Sequence, residues 1–311
     1  MIDLHLHLDG SLRPETVREL LRYKNIKDFP TAEDAKKALC VDENCRNLNE
    51  YLQKFDFPIL VLQQENEIIR AVSELGMDLF KEEVEYAEIR FAPMFSMKEG
   101  LDMEAVCEAA IAGAKEAENR CGIKLELILC CMRGADEKMN KKTLECTKRY
   151  LGKGICAMDL AGAEGLFPTE MYRDLFKEAS KLDVPFTIHA GEAAGPQSIW
   201  KALEFGAQRI GHGIRSFEDS DLVDYLVRKE IPIEVCPTSN MQTKVYGNPD
   251  FYPLKELLEL GVHATLNTDN RTVSNTNLFK ETEFAKKSLR LDDKDIELMK
   301  EYSKKAAFVK R

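Results

Sequence analysis

The chain opens with a strict alternation of apolar and polar residues. The order over residues 2–9 is Ile2, Asp3, Leu4, His5, Leu6, His7, Leu8 and Asp9. This period of two predicts a β-strand whose four apolar side chains share one face. Polar neighbours on the other face lie roughly 6.6 Å apart, so the two imidazoles could converge on one ion. A solvated polar face at the edge of a sheet would produce the same pattern, and the stretch alone does not decide between the two.

Seven further short apolar runs follow, and helical patterns separate them. The runs lie at 86–92, 124–131, 154–160, 184–189, 208–212, 231–236 and 262–267. Helical spacing occupies 102–120, 137–151, 169–182, 197–205, 218–229 and 252–260. Strands that alternate with helices predict a parallel sheet with helices outside it. Eight such units predict an α/β fold, the closed (β/α)8 TIM barrel, with an open doubly wound sheet as the alternative.

The stretch between the first two predicted strands is long and helical. Pro14 opens an amphipathic pattern, and more helices are predicted near 31–39, 47–56 and 65–83. We expect this 14–85 insertion to form a lid over the C-terminal mouth of the barrel. No linker or composition break divides the chain, so a single domain over 1–311 is expected. No Gly-x-Gly-x-x-Gly turn follows the first strand, which disfavours a dinucleotide-binding sheet.

Composition narrows the possible partners. The net charge of -10 provides no basic surplus for a nucleic-acid backbone. No apolar run reaches the roughly 18 residues of a membrane span, and the first residues do not resemble a secretion signal. The nine cysteines are scattered and form no Cys-x-x-Cys pair, which is typical of reduced thiols. We therefore expect a cytoplasmic enzyme that acts on a small molecule.

Four of the five histidines lie at the ends of predicted strands. His5 and His7 end the first strand, His189 the fifth and His212 the sixth, and Asp269 follows the eighth. Because all strand ends of a barrel reach the same mouth, these residues are expected to meet. Imidazoles with one carboxylate favour a single divalent ion, zinc first, with water completing its shell.

Two residues near this predicted ion have open roles. Glu192, three residues after His189, is either an exposed loop carboxylate or an acid/base partner for metal-activated water. His212 is either a ligand or a group that orients that water. The ligand count does not separate these roles.

Six motifs in order make the whole chain resemble the adenosine deaminases of the amidohydrolase superfamily. The motifs are His5-Leu-His7-Leu-Asp9-Gly-Ser, Asp159-Leu-Ala-Gly162-Ala-Glu164, His189-Ala-Gly-Glu192, Gly211-His212-Gly213, Cys236-Pro-Thr-Ser239-Asn and Asn267-Thr-Asp269-Asn270. Any one of them alone would be weak.

The resemblance implies a ligand set for the metal. His5, His7, His189 and Asp269 would hold one zinc ion per chain. His212 would lie beside the activated water that attacks purine C6.

The resemblance also implies how the purine nucleoside is held. Glu192 would protonate purine N1, Gly162 would offer its N–H to N3, and Asp9 would accept from the ribose 5′-hydroxyl. Tyr51 and Phe55 would form an apolar gate, although packing in a helical core explains that pair nearly as well.

One residue departs from the family pattern. Asn270 stands where relatives usually carry a second aspartate that faces purine N7. An ionised carboxylate can only accept, whereas an amide donates without a shared proton. We expect Asn270 to bind N7 with less dependence on pH.

The resemblance implies hydrolytic deamination of adenosine and 2′-deoxyadenosine to inosine and 2′-deoxyinosine plus ammonia. A carboxylate at Asp9 would repel a 5′-phosphate and suits a 5′-hydroxyl. Adenine or a 5′-modified adenosine is the alternative substrate. A nucleoside-binding relative without activity is a further alternative, disfavoured because the acid and all four ligands are present. The pattern predicts no nucleic-acid or membrane partner and does not determine the oligomeric state.

Overall fold

Eight parallel strands form the centre of the structure, a computed structural model that describes residues 1–42 and 44–309. The strands are β1 (Ile2–His7), β2 (Tyr86–Phe91), β3 (Lys124–Met132), β4 (Ile155–Ala161), β5 (Thr187–Ala190), β6 (Arg209–His212), β7 (Ile233–Val235) and β8 (Ala264–Leu266). Strands β1–β4 pair in chain order, and so do strands β5–β8. Every pair within these two groups is parallel.

Backbone hydrogen bonds join the two groups of strands at both seams. The Met158 N–H donates to the Pro185 carbonyl over 2.9 Å, which links β4 to the start of β5. At the other seam the His7 N–H donates to the Asp269 carbonyl over 2.7 Å. The Asp269 N–H returns a bond of 2.8 Å to the His5 carbonyl. The sheet is therefore closed, and the predicted (β/α)8 barrel is confirmed.

Helices surround the barrel and fill the connection between β1 and β2. Those before β2 are α1 (Pro14–Tyr23), α2 (Ala32–Leu39), α3 (Leu48–Leu52), α4 (Asp56–Val61) and α5 (Glu65–Lys81). The later ones are α6 (Met103–Cys121), α7 (Glu137–Tyr150), α8 (Arg173–Lys181), α9 (Pro196–Phe205), α10 (Ser220–Lys229), α11 (Pro237–Gln242), α12 (Leu254–Glu259), α13 (Leu278–Ser288) and α14 (Asp293–Ala306).

Helix α5 lies in the outer layer of the barrel beside α6. A Cβ added at Gly113 of α6 would lie 2.6 Å from the Ile69 carbonyl oxygen of α5, so only glycine permits this approach. Val72 and Leu75 of α5 are buried in the same apolar cluster as Val106 of α6. The helical stretch predicted at 14–85 thus has two parts, because its last helix covers the barrel wall. Only the helices before α5 are still expected to form the lid.

The two faces of β1 have opposite surroundings, both of them inside the protein. Leu6 and Leu8 pack in the apolar layer under the helices. Asp3 and His5 have no solvent-exposed surface on the other face. The polar face of β1 is therefore the barrel interior and not a solvated edge.

Within the described residues, no helix has the length and apolar character needed to cross a membrane.

Candidate active site

Five polar side chains meet at the C-terminal mouth of the barrel. His7 Nε2 lies 3.2 Å from His189 Nε2 and 3.4 Å from Asp269 Oδ1. His5 Nε2 lies 3.5 Å from the same Asp269 oxygen. The ligand atoms of His5, His189, His212 and Asp269 all lie within 4.8 Å of one another. The structure thus brings together every residue predicted to surround the ion, from both ends of the chain.

The backbone is strained where two of these residues leave their strands. His212 and Asp269 both have a φ of +57°, in the left-handed region. Such a conformation costs about 1–3 kcal/mol per residue, and residues that adopt it are found most often at functional sites. A Cβ at Gly211 would lie 3.1 Å from the His189 Cα, so glycine permits β5 and β6 to approach closely beside the cluster.

Two buried carboxylates face the Nδ1 atoms of two histidines. Glu234 Oε2 lies 2.7 Å from His5 Nδ1, and Asp159 Oδ2 lies 2.9 Å from His189 Nδ1. A proton on each Nδ1 leaves the Nε2 lone pair free to face the centre of the cluster. His5 Nε2 is buried and has no hydrogen-bond partner among the described residues. The Nε2 atoms of these imidazoles therefore face a cluster that could bind a metal ion.

Arginines in the barrel floor keep both carboxylates ionised. Arg90 donates to Glu234 over 2.9 Å and to Asp159 over 3.0 Å, and Arg209 donates to Glu234 over 2.6 Å. Burial alone would raise the pKa of Glu234, but the two guanidinium groups hold it well below its usual range. The pKa of Asp159 is likewise lowered, because His189 and Arg90 outweigh its burial.

Sequence reasoning missed Glu234, Arg90 and Arg209. Each is a charged residue with apolar neighbours in a short strand, although β2 also contains Glu88 and β6 also contains His212. In a closed barrel the alternate strand positions point into the interior, where a charged side chain needs a partner. That placement is the signal that would have found them.

Asn240 holds His212 from behind. Its amide nitrogen lies 3.0 Å from His212 Nδ1, and its amide oxygen accepts a bond of 2.9 Å from the Tyr252 hydroxyl. With the amide in this orientation, Nδ1 is the acceptor and the proton of the neutral ring lies on Nε2. The Nε2 atom of His212 therefore presents an N–H to the site in this tautomer, whereas the Nε2 atoms of His5 and His189 present lone pairs. The ligand atoms of His212 also lie within 4.8 Å of those of His5, His189 and Asp269, so its orienting role and its ligand role both stay predictions.

Glu192 lies beside this imidazole and is buried. Its Oε2 is 3.5 Å from His212 Nε2, and only 5% of the residue is exposed. Burial raises the pKa of Glu192 well above its ordinary value, and the nearby Asp269 and Glu164 carboxylates raise it further. Burial also lowers the pKa of His212 and of His7 well below the usual value. A protonated carboxyl group next to neutral imidazoles can donate a proton to a ligand.

A cavity of about 220 Å³ opens directly above the cluster. Its lining includes Asp9, Gly162 and Asn270 together with three histidines of the cluster, His7, His189 and His212. Gly162 has a φ of +104°, a conformation that glycine adopts without strain. The Asn270 amide oxygen would lie 1.9 Å from a Cβ at Gly10, so this glycine makes room for the amide. The structure thus places all three predicted binding residues around one cavity.

Tyr51 and Phe55 both line the cavity and belong to a small apolar core. They pack with Leu48 and Val273 and are largely buried. The Tyr51 hydroxyl lies 2.6 Å from Ser274 Oγ, which ties α3 to the loop after β8. A place in the apolar gate and a place in a helical core are compatible for this pair, because the apolar core itself forms one wall of the cavity.

The sequence model described as adenosine deaminase matches residues 1–311. The chain belongs to the adenosine deaminase family. An adenosine deaminase of Haemophilus ducreyi is 46% identical over 283 residues, which cover 89% of this chain and 82% of that protein. An adenosine deaminase of Clostridium acetobutylicum is 42% identical over 282 residues, covering 90% and 84%.

Solved structures of related deaminases share the fold. An adenine deaminase from Arthrobacter aurescens superposes with a TM-score of 0.90 at 24% identity, covering 99% of this chain and 93% of that one. The N6-methyl-AMP deaminase of Arabidopsis thaliana gives a TM-score of 0.85 at 27% identity, covering 99% and 92%.

Membership of the adenosine deaminase family makes this protein a hydrolase that acts on carbon–nitrogen bonds. Its barrel mouth carries a histidine and aspartate cluster that could bind a metal ion. The resemblance read from the six motifs is confirmed by the match over the whole chain.

Proposed function

We propose that this protein deaminates adenosine and 2′-deoxyadenosine to inosine and 2′-deoxyinosine with release of ammonia. The observation that carries the proposal is the position of the buried Glu192 beside the His/Asp cluster, at the floor of one cavity. The cavity suits a small purine nucleoside rather than a polymer. Curated relatives named adenosine deaminase support the choice of substrate.

The donor set fits one zinc ion. His5 and His189 offer lone pairs fixed by the carboxylates behind them, His7 adds a third imidazole, and Asp269 adds a carboxylate. The unpartnered His5 Nε2 is the polar atom that such an ion would satisfy. When bound, zinc supplies a water molecule that is acidic enough to react at neutral pH.

The protein groups around that water have separate tasks. His212 holds a proton on Nε2, and this N–H would orient the attacking oxygen and stabilise negative charge on that oxygen as it approaches purine C6. Glu192 gives its proton to purine N1, so that C6 becomes electrophilic. Gly162 offers its backbone N–H to N3, and the Asn270 amide donates to N7. These contacts fix the purine plane over the cluster.

The surroundings of Asp9 favour a nucleoside over a nucleotide as the substrate. Burial raises the pKa of Asp9 to about 7, and one of its oxygens is buried without a hydrogen-bond partner in the described residues. A ribose 5′-hydroxyl would donate to that oxygen. The described residues that line the cavity include no lysine or arginine to receive a 5′-phosphate. Adenine and 5′-modified adenosines without a phosphate are the second group of candidate substrates.

Helices α3 and α4 form the lid in this proposal. Leu48, Leu52 and Ile59 from these helices line the cavity with Tyr51 and Phe55. An apolar wall at this place would shield the reacting purine from bulk water. The lid contacts the loop after β8 through the Tyr51 hydroxyl and Ser274, and this loop also carries Asn270.

The test is incubation of the purified, zinc-loaded protein with a substrate panel. The panel contains adenosine, 2′-deoxyadenosine, adenine, AMP and 5′-methylthioadenosine, and the ultraviolet change of deamination is followed. Fastest turnover of the first two is expected. Turnover of adenine or AMP alone would overturn the choice of substrate, and binding of adenosine without inosine formation would favour an inactive relative.

The cysteines bear on where the protein acts. All nine lie in the described residues, and none of them forms a disulfide. Free thiols of this number fit a reducing compartment, so we propose a cytoplasmic location.

A further inference from the structure

We propose that Glu164 is a positioning residue that holds Glu192 in place, because its carboxylate binds the backbone of the loop that carries Glu192. This inference rests on the proposed function, in which Glu192 protonates the purine. Glu164 lies after β4, is only 1% exposed, and has no direct place in the cavity lining.

Both oxygens of Glu164 accept bonds from the same short loop. One oxygen accepts from the Gly191 N–H over 2.9 Å and from the Ser198 hydroxyl. The other accepts from the Glu192 N–H over 3.1 Å and from the Ala194 N–H over 2.8 Å. Three backbone N–H groups within four residues thus converge on one carboxylate, an arrangement typical of an anion-binding backbone. Here the anion is a side chain of the protein itself.

The position of these bonds distinguishes Glu164 from an ordinary loop stabiliser. The bonded N–H groups belong to Glu192 and to residues on either side of it, so the carboxylate fixes the backbone from which the acid projects. Gly191 has a φ of +74°, which turns the chain so that its N–H and the next one face the same point. A shift of this backbone would move the Glu192 carboxyl by a similar distance.

Glu164 also joins two loops that would touch the same edge of the purine. It lies two residues after Gly162, the proposed donor to N3, and it binds the backbone of Glu192, the proposed donor to N1. Atoms N1 and N3 flank one carbon of the ring, so the two protein groups need a fixed separation. One buried carboxylate between the loops provides it.

A second set of bonds supports the same frame. Arg133 donates to the His189 carbonyl over 2.6 Å and to Thr169 Oγ1 over 2.9 Å. Thr169 Oγ1 in turn lies 2.7 Å from Ser198 Oγ, the hydroxyl that also bonds Glu164. The loop is therefore held at its start by Arg133 and along its length by Glu164.

The central variant is Glu164→Gln. In either orientation its amide NH2 group would face at least one backbone N–H, so the bonds of one oxygen are lost while size is kept. We expect kcat to fall about 100-fold, the size that a displacement of about 1 Å produces in a catalytic group. The KM for adenosine and the bound zinc per chain are expected to stay within about threefold of the parent values.

Ser198→Ala is the matched control, because it removes one neutral donor to Glu164 and leaves all three backbone bonds. Its kcat is expected to stay within about threefold of the parent. Glu164→Asp keeps the charge and shortens the reach by one methylene group. It is expected to lower kcat about 10-fold, and it decides the question if Glu164→Gln does not fold.

The double variant Glu164→Gln/Glu192→Gln separates positioning from a general structural role. If Glu164 acts through Glu192, its kcat should equal that of Glu192→Gln alone within about threefold. A further 100-fold loss in the double variant, or a parental kcat in Glu164→Gln, would overturn the inference. A parental kcat in Glu192→Gln would instead overturn the acid role in the proposed function, so the two failures are distinguishable.

Discussion

The amide nitrogen of Asn240 lies 3.0 Å from His212 Nδ1, and this contact determines which ring nitrogen of His212 carries the proton. The amide is itself oriented by the Tyr252 hydroxyl, 2.9 Å from its oxygen. A residue outside the cavity thus sets whether His212 presents an N–H or a lone pair.

Replacing Asn240 tests this relationship. Asn240→Leu keeps the size of the side chain and removes the donor, so His212 can take the other tautomer. We expect kcat to fall about 10- to 100-fold while bound zinc stays at the parent level. Tyr252→Phe is the control that removes only the orienting hydroxyl, and it should lose less. Steady-state kinetics with metal analysis would show the split, and a kcat within twofold of the parent in Asn240→Leu would contradict it.

A second prediction concerns Glu234, which bonds His5 Nδ1 and pairs with Arg90 and Arg209. Glu234→Gln removes the charge that orients His5 and raises its basicity. Zinc affinity is expected to fall about 10- to 100-fold in competition with a chelator. Glu218→Gln is the matched control, because Glu218 pairs with Arg215 near the surface. Equal zinc affinity in the two variants would refute a role of Glu234 in holding the metal.

The third prediction concerns substrate choice at Asp9. Asp9→Asn removes a carboxylate that would repel a 5′-phosphate, and it keeps a group that can accept from a hydroxyl. We expect the ratio of kcat/KM for adenosine over AMP to fall at least about 10-fold at pH 8, above the pKa of about 7. The same ratio for adenosine over 2′-deoxyadenosine serves as the control and should stay constant. An unchanged adenosine-to-AMP ratio would mean that Asp9 does not face the 5′ end.

The fourth prediction concerns stability and pH. Burial raises the pKa of Glu281 from 4.5 to about 7, although Thr238 and Thr276 donate bonds to it. Between these values the folded state keeps a proton that the unfolded state has lost, so the free energy of unfolding falls as pH rises. A pKa rise of this size lowers the free energy of unfolding by about 3 kcal/mol between pH 4.5 and pH 7.

Glu281→Gln imitates the protonated form and removes this dependence. At pH 8 the variant should have a higher free energy of unfolding than the parent. At pH 4.5 the variant should lack this advantage. Urea unfolding at both pH values measures the difference. The same difference between variant and parent at both pH values would contradict the assignment.

The barrel could be predicted because its strands and helices differ in hydrophobic period. The predicted strand at 184–189 corresponds to β5 at Thr187–Ala190, and the helix predicted at 137–151 corresponds to α7 at Glu137–Tyr150. The site could be expected because strand ends share one mouth, which brings His5 and Asp269 together. Pattern alone could not assign α5 to the barrel wall, because an amphipathic helix has the same period wherever it packs.

The supporting groups escaped prediction for a different reason. Glu234, Asn240 and Arg90 act through partners that are distant in sequence, such as His5 and His212. Their roles depend on distances of about 3 Å across the barrel, which no local pattern contains. Glu164 and Asn240 each belong to one of the six motifs, but only the structure shows that Glu164 binds the backbone around Glu192 and that Asn240 contacts His212.

The seam between β1 and the loop after β8 has a consequence for how the protein is made. Asp269 follows His5 by 264 residues in the chain, so it can reach His5 and His7 only after most of the barrel has been synthesised. The two backbone bonds across the seam therefore form late, and contacts of such sequence separation are slow to establish. The proposed set of metal ligands is complete only once this ring is closed, so tight metal uptake would mark the end of folding rather than guide its start.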